Sequence, residues 1–190
     1  MNTTLDAHWR WQFAAPVQLA STADSNSSLS HWLQDTGSLT ARLRQHCKQF
    51  RVQLLNTRAN VSLTPSQANW LGETHGYCRE VLLLCDEQPW IYASSLYSNT
   101  ALQAVPALGG LGQKALGELL FDHPQLMRSQ FEFAQLTALE SQQLTQQVHP
   151  SPLNMHPNRP LWARRSVLAI PQASVLVSEL FLPAASPYQE

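Results

Sequence analysis

LWARRSVLAIPQASVLVSELFLP, residues 161–183, decides the fold. It reads as two strands joined by a turn at Pro171-Gln172-Ala173, and so short a connection makes the pair antiparallel. In the second strand Val175, Val177, Glu179 and Phe181 point one way, while Leu176, Ser178, Leu180 and Leu182 point the other. Glu179 is thus a carboxylate among apolar neighbours.

Working outward, Arg79 opens the apolar run REVLLLC, which the turn-prone DEQP joins to a second strand, WIYASSLYS. Pro89 stands at the start of that strand, where its missing N–H is tolerated. In FRVQLLNTR, Val52 and Leu54 alternate with Arg51 and Gln53, the pattern of a half-buried strand. HWLQDTGSLTARLRQHCKQF predicts two short helices, the first ended by Gly37 and the second capped by Ser38, with Leu39, Leu43 and Cys47 on one face. GGLGQKALGELLFDHP predicts a short amphipathic helix through Ala115, Leu116, Leu119 and Leu120. The Pro- and Gln-rich residues 137–160 fit neither periodicity and predict a surface excursion, and residues 1–30 predict a weakly ordered N-terminal approach. Hairpins without regular βαβ alternation predict an α+β fold, a single antiparallel sheet with helices packed on one face, formed by residues 1–190 as one domain.

The composition narrows the function classes. Apolar residues make up 44% of the 190, with six Trp and a net charge of -1, which argues for a compact globule. With no basic stripe, and Arg164-Arg165 too short to make one, nucleic acid is not an expected partner. MNTTLDAHWRWQF has neither a secretory nor a transit-peptide pattern, and no run reaches the ~20 apolar residues that span a bilayer. A soluble, cytoplasmic protein is expected. Cys47, Cys78 and Cys85 lack CxxC spacing and read as reduced core thiols. No GxSxG or HExxH occurs, GGLGQKALG misses the phosphate-loop spacing, and His149 and His156 have no accompanying acids, so no metal site is expected.

The segments RE-VLLLC-DEQPW, LGQKALGELLF, LWARRS and SELFLPAASPY, in that order, resemble the chorismate pyruvate-lyase family from about Trp32 to Tyr188. The resemblance implies a six-stranded antiparallel sheet with a buried ligand site under helical flaps. It also implies a monomer that needs no metal or organic cofactor. The implied activity removes the enolpyruvyl group of chorismate to give 4-hydroxybenzoate and pyruvate, the entry to the ubiquinone ring. By motif, Arg79 would grip the ring carboxylate, Glu179 would meet the 4-hydroxyl, Leu116 would line the site, and Leu39 would stand at the place of a pocket methionine.

A guanidinium holds a carboxylate through two parallel charge-assisted bonds, which suits Arg79 to that task. Burial among Val177 and Phe181 would favour a proton on Glu179. The alternatives are an Arg79 paired with Glu80 or Asp86 and a Glu179 at an edge facing water. Ser94 stands where the family hairpin often carries an arginine, so a second cation for the enolpyruvyl carboxylate is missing there, with Arg164 or Arg165 as candidate replacements. The rival from another class is a noncatalytic effector-binding module on the same fold, like the sensor domains of some bacterial transcription regulators. A general carrier of apolar ligands is a further rival, whose pocket would not need Arg79 and Glu179 together.

Overall fold

The computed structural model describes residues 4–13, 26–148 and 160–188. Its helices are α1 (Asn26–Gln34), α2 (Leu39–His46), α3 (Pro65–Leu71), α4 (Asn99–Ala104), α5 (Leu116–Leu120) and α6 (Ala138–Val148). Its strands are β1 (Phe50–Ser62), β2 (His75–Cys85), β3 (Gln88–Ser98), β4 (Met127–Arg128), β5 (Glu132–Leu136), β6 (Leu161–Ile170) and β7 (Ala173–Phe181). Among the described residues no helix is long and apolar enough to cross a membrane.

All seven strands form one antiparallel sheet in the order β1-β2-β3-β7-β6-β4, with β5 also on β6. β4 and β5 share the same edge of β6, bridged where Ser129 N–H donates to Val167 O (2.9 Å) and Val167 N–H donates to Ser129 Oγ (2.9 Å). The seven strands therefore fill six positions, in agreement with the six-stranded sheet that the family resemblance implies.

The β2–β3 turn is tighter than DEQP suggests. Asp86 and Glu87 both have positive φ (48° and 64°), the signature of a two-residue type I′ hairpin. Asp86 Oδ1 stabilises this turn by accepting from the N–H groups of Lys48 (3.0 Å) and Gln49 (2.9 Å). Pro89 and Ile91 then pair with Leu84 and Leu83, leaving Trp90 in the register break between them, where a proline costs little.

Several elements differ from the sequence reading. α1 ends at Gln34, and Gly37 instead lies in a turn where its N–H meets Asp35 Oδ1 at 2.8 Å. Ser38 does cap α2, accepting from Ala41 N–H. α3 was passed over, although Thr64 and Gln67 form a capping box, Pro65 opens the helix and Gly72 closes it at φ 75°. Residues 138–148 are helix rather than excursion. Their Gln-rich face hides the spacing of Ser141, Leu144, Thr145 and Val148, which are buried. The rest of that stretch, 149–159, lies outside the described residues. Leu54 is exposed although it keeps the register of Val52, because β1 is the edge strand of the sheet; the register shift follows between Leu54 and Asn56.

The N-terminal reading also needs correction for residues 4–13. Leu5–His8 form a 3-10 turn whose Asp6 is fully buried and accepts from Ser178 Oγ at 2.6 Å. Gln12 then exchanges both backbone bonds with Phe133 on β5 (2.9 and 2.7 Å). Serine-rich residues 14–25 lie outside the described residues.

Helices α1, α2, α4 and α5 cover the face that carries Val175, Val177, Glu179 and Phe181. α3 covers the opposite face, where Trp70 and Leu71 meet Leu96 and Leu176. The reading of helices on one face holds for the larger group and omits α3.

Candidate active site

The front face of the sheet makes a depression because its central strand carries small side chains. Across one row Arg79, Ser95 and Val177 stand side by side on β2, β3 and β7; across the next stand Val81, Ala93, Glu179 and Arg164. Ala93 and Ser95 leave room between the longer flanking side chains. α2 and α5 roof this space with Leu39, Thr40, Leu116 and Gly117. At Gly117 a Cβ would lie 3.2 Å from Ser38 Oγ and Thr40 Oγ1, so glycine permits the close approach of the two helices. The exposed Arg44–Glu118 ion pair also joins them.

The empty volume is about 480 Å³ with open solvent at the mouth included.

Arg79 is only 3% exposed, and its Nη2 donates to Gly112 O (2.9 Å) and Lys114 O (2.8 Å). The glycine-rich stretch ahead of α5 thus presents carbonyls to a cation, the reverse polarity of a phosphate cradle. Arg79 Nε is buried without a partner, and burial pushes the guanidinium below its usual range. The structural alternatives fail for geometric reasons: Glu80 lies on the opposite face, bonded to Tyr92 OH (2.6 Å) and Arg58 (3.2 Å), and Asp86 serves its turn.

Glu179 sits on β7, in the middle of the sheet rather than at an edge, and is 9% exposed. Its Oε2 accepts from Arg164 Nε at 2.6 Å. The sequence reading places a carboxyl alone among apolar groups and misses this charge-assisted cross-strand partner. Arg164 is itself fully buried, with Nη1 donating to the carbonyls of Trp32 (2.8 Å), Leu33 (3.2 Å) and Asp35 (2.7 Å) at the end of α1. These orphan carbonyls of a helix C-terminus are a natural seat for a cation.

Arg79, Glu179, Leu39 and Leu116, the residues singled out from the sequence, all line this one cavity. Ser94 does not. Pairing opposite Glu80 puts it on the far face, where its Oγ lies 3.7 Å from Cys78 Sγ, and Ser95 faces the cavity instead. Arg165 also points away, pairing with Glu132 at 2.6 Å between the rings of Trp11 and Trp70.

The residue that sequence reasoning missed is Arg128, which reaches into the cavity from the edge strand β4. Its Nη1 donates to Ser166 Oγ (3.1 Å) and its Nη2 to Gly37 O (3.4 Å). It lies over the rings of Phe121 and Phe131, and burial pushes it too below the usual guanidinium range. A strand of two residues carries no alternation from which that orientation could be read.

The sequence pattern of the family described as Chorismate lyase matches residues 7–189. A probable chorismate pyruvate-lyase of Pseudoalteromonas atlantica is 35% identical over 172 residues, covering 87% of this chain and 84% of the relative. One from Cupriavidus pinatubonensis is 40% identical over 162 residues, covering 82% and 81%. Among solved structures, the effector domain of PhnF from Mycobacterium smegmatis superposes with a TM-score of 0.55 at 13% identity, covering 78% of this chain and 90% of that one. At that identity the likeness is one of fold.

Proposed function

The chain belongs to the chorismate lyase family, and from that premise we propose that it cleaves chorismate to 4-hydroxybenzoate and pyruvate, the step that supplies the ubiquinone ring. The observation that carries the reading is a cavity with, on one wall, an arginine that has no acid partner among the described residues and, two strands away, a carboxylate clamped by another arginine. Two strand spacings of about 4.8 Å and a two-residue offset of about 7 Å along the strands set the backbones of Arg79 and Glu179 roughly 12 Å apart, which leaves room between the two side chains for a benzoate ring held at both ends.

In this scheme Arg79 takes the ring carboxylate. Its Nη2 is held by two loop carbonyls, so the guanidinium is oriented before the ligand arrives. Glu179 receives the 4-hydroxyl through Oε1, since Arg164 occupies Oε2. Leu116 and Leu39 press on the ring from the roof. Leu116 is also the first residue of α5, a position whose N–H has no intrahelical acceptor.

The reaction then needs little further help. As the C4 proton leaves, the C4–H electrons form the C3=C4 double bond that completes the aromatic ring, and the C3–O bond breaks. The departing enolpyruvate takes up a proton and becomes pyruvate. Aromatisation drives the step, and the protein contributes position and an enclosure poor in water.

The test is incubation of the purified protein with chorismate, without added metal, followed by chromatography beside an Arg79→Ala control. Equimolar 4-hydroxybenzoate and pyruvate, lost in the control, are expected. No product, with 4-hydroxybenzoate still bound tightly, would instead identify an effector-binding module.

A further inference from the structure

Six described arginines are shielded from solvent at least in part, and they fall into two groups. Arg42, Arg58, Arg164 and Arg165 each pair with an acid. Among the described residues Arg79 and Arg128 have no carboxylate within ion-pair distance, and both line the same cavity. Each also has a buried Nε with no hydrogen-bond partner. A buried cation is normally paired or hydrogen-bonded at every donor, because desolvation is otherwise uncompensated. With Glu179 claimed by Arg164, the cavity carries an excess of two positive charges.

We infer that Arg128 receives the second carboxylate of a dianionic substrate and so makes the site selective for an aromatic or cyclohexadiene dicarboxylate over a monocarboxylate. This rests on the reading of the cavity given above and extends it. The layout fits the substitution pattern of the ring: Arg79 on β2 and Arg128 on β4 flank Glu179 on β7, so a ring with its carboxylate at Arg79 and its hydroxyl at Glu179 turns its adjacent position toward β6 and Arg128. That is the position of the enolpyruvyl ether. Position 94 faces the far side of the sheet, so the cation for this carboxylate comes from β4 rather than from β3. Ser166 Oγ and Gly37 O take one N–H each of Nη1 and Nη2, and Phe121 and Phe131 fix the plane, so Nε–H and the second N–H of each terminal nitrogen are left for a ligand. The selectivity has a consequence for turnover. Once the enolpyruvyl carboxylate leaves with pyruvate, the remaining 4-hydroxybenzoate offers Arg128 nothing.

Two unreactive probes test this by calorimetry: 3-(carboxymethoxy)-4-hydroxybenzoate, which carries both carboxylates, and 4-hydroxy-3-methoxybenzoate, which lacks the second. The wild-type protein is expected to bind the first about tenfold or more tightly. Arg128→Met should erase that preference while changing the affinity for the second by no more than about twofold, and Arg128→Lys should restore part of it. Equal affinity of the wild type for the two probes would overturn the inference without any variant. So would an Arg128→Met that weakens both probes alike, the mark of a merely structural side chain. If the wild type releases no product from chorismate yet prefers the dicarboxylate, the lyase reading falls and the subsite stands. If turnover is present without the preference, the reverse holds.

Discussion

Arg164 concentrates more of the site's energetics than either residue that faces the ligand. It is fully buried, grips Glu179 and collects three carbonyls from the end of α1. Removing one partner of a buried pair strands the other charge, so Arg164→Met is expected to cost about 3–5 kcal/mol of stability, read by thermal unfolding. A shift near zero would mean that water reaches Glu179. Glu179→Gln keeps the shape of the side chain, and if the role of Glu179 lies in the transition state it should lower kcat by about tenfold or more with a smaller change in KM. A rise in KM at constant kcat would make Glu179 a recognition group only. Cys78 tests the opposite face: burial first, then the nearby Glu80 charge, pushes its thiol up to about 12, so a thiol reagent at pH 8 should leave it unlabelled until the protein unfolds. At this scale the sequence carried Arg79 and Glu179, because a charge inside an apolar strand is visible in one dimension. It did not carry the Arg164–Glu179 pair or the orientation of Arg128, which depend on strand register and on a bridge between distant segments.

Elements with their own signals were legible, and those defined by partners were not. The two long hairpins and the cap at Ser38 follow from alternation and local chemistry. α6 was hidden by a Gln-rich exposed face, and β4 has too few residues to show a pattern. α4 illustrates how a carboxylate from elsewhere completes a helix. Glu73 accepts from Thr100 N–H (2.9 Å) and from Asn99 N–H and Nδ2, and these bonds, that of Thr100 foremost, hold its carboxyl down at about 2. Its folded value lies below its unfolded one, so this contribution to stability is full above the ordinary Glu range and is lost as pH falls toward 2. Glu73→Gln should therefore be less stable than wild type at neutral pH, with the gap closing in acid. A gap that persists unchanged at low pH would rule out the charge as its origin. On β2, Gly76→Ala would set a Cβ 2.6 Å from Tyr97 O, a backbone atom in the paired strand that cannot turn aside. A loss of about 1–3 kcal/mol is expected, measurable by denaturant titration.

For the molecule as a whole, the two faces of the sheet divide the work. The cavity and its roof occupy one face, while α3 and residues 4–13 close the other, with Asp6 reaching Ser178 and Trp11 lying over Arg165. Deleting residues 1–13 should lower the thermal midpoint by roughly 2–4 °C for each kcal/mol lost while leaving 4-hydroxybenzoate affinity within about twofold, because residues 4–13 dock away from the cavity. Loss of both together would show that the faces are coupled through the shared strands. The ends of the sheet have a separate consequence. An open strand edge is a template for pairing with another chain, and both edges here are blunted. β1 breaks its register between Leu54 and Asn56 and again between Arg58 and Val61, with Arg51 paired to Glu87 along its length. At the far side Gln12 already occupies the donor and acceptor of Phe133. Concentrated protein should therefore resist growth into extended β assemblies for as long as residues 4–13 stay seated, and proteolytic trimming of that segment would expose a strand ready to aggregate.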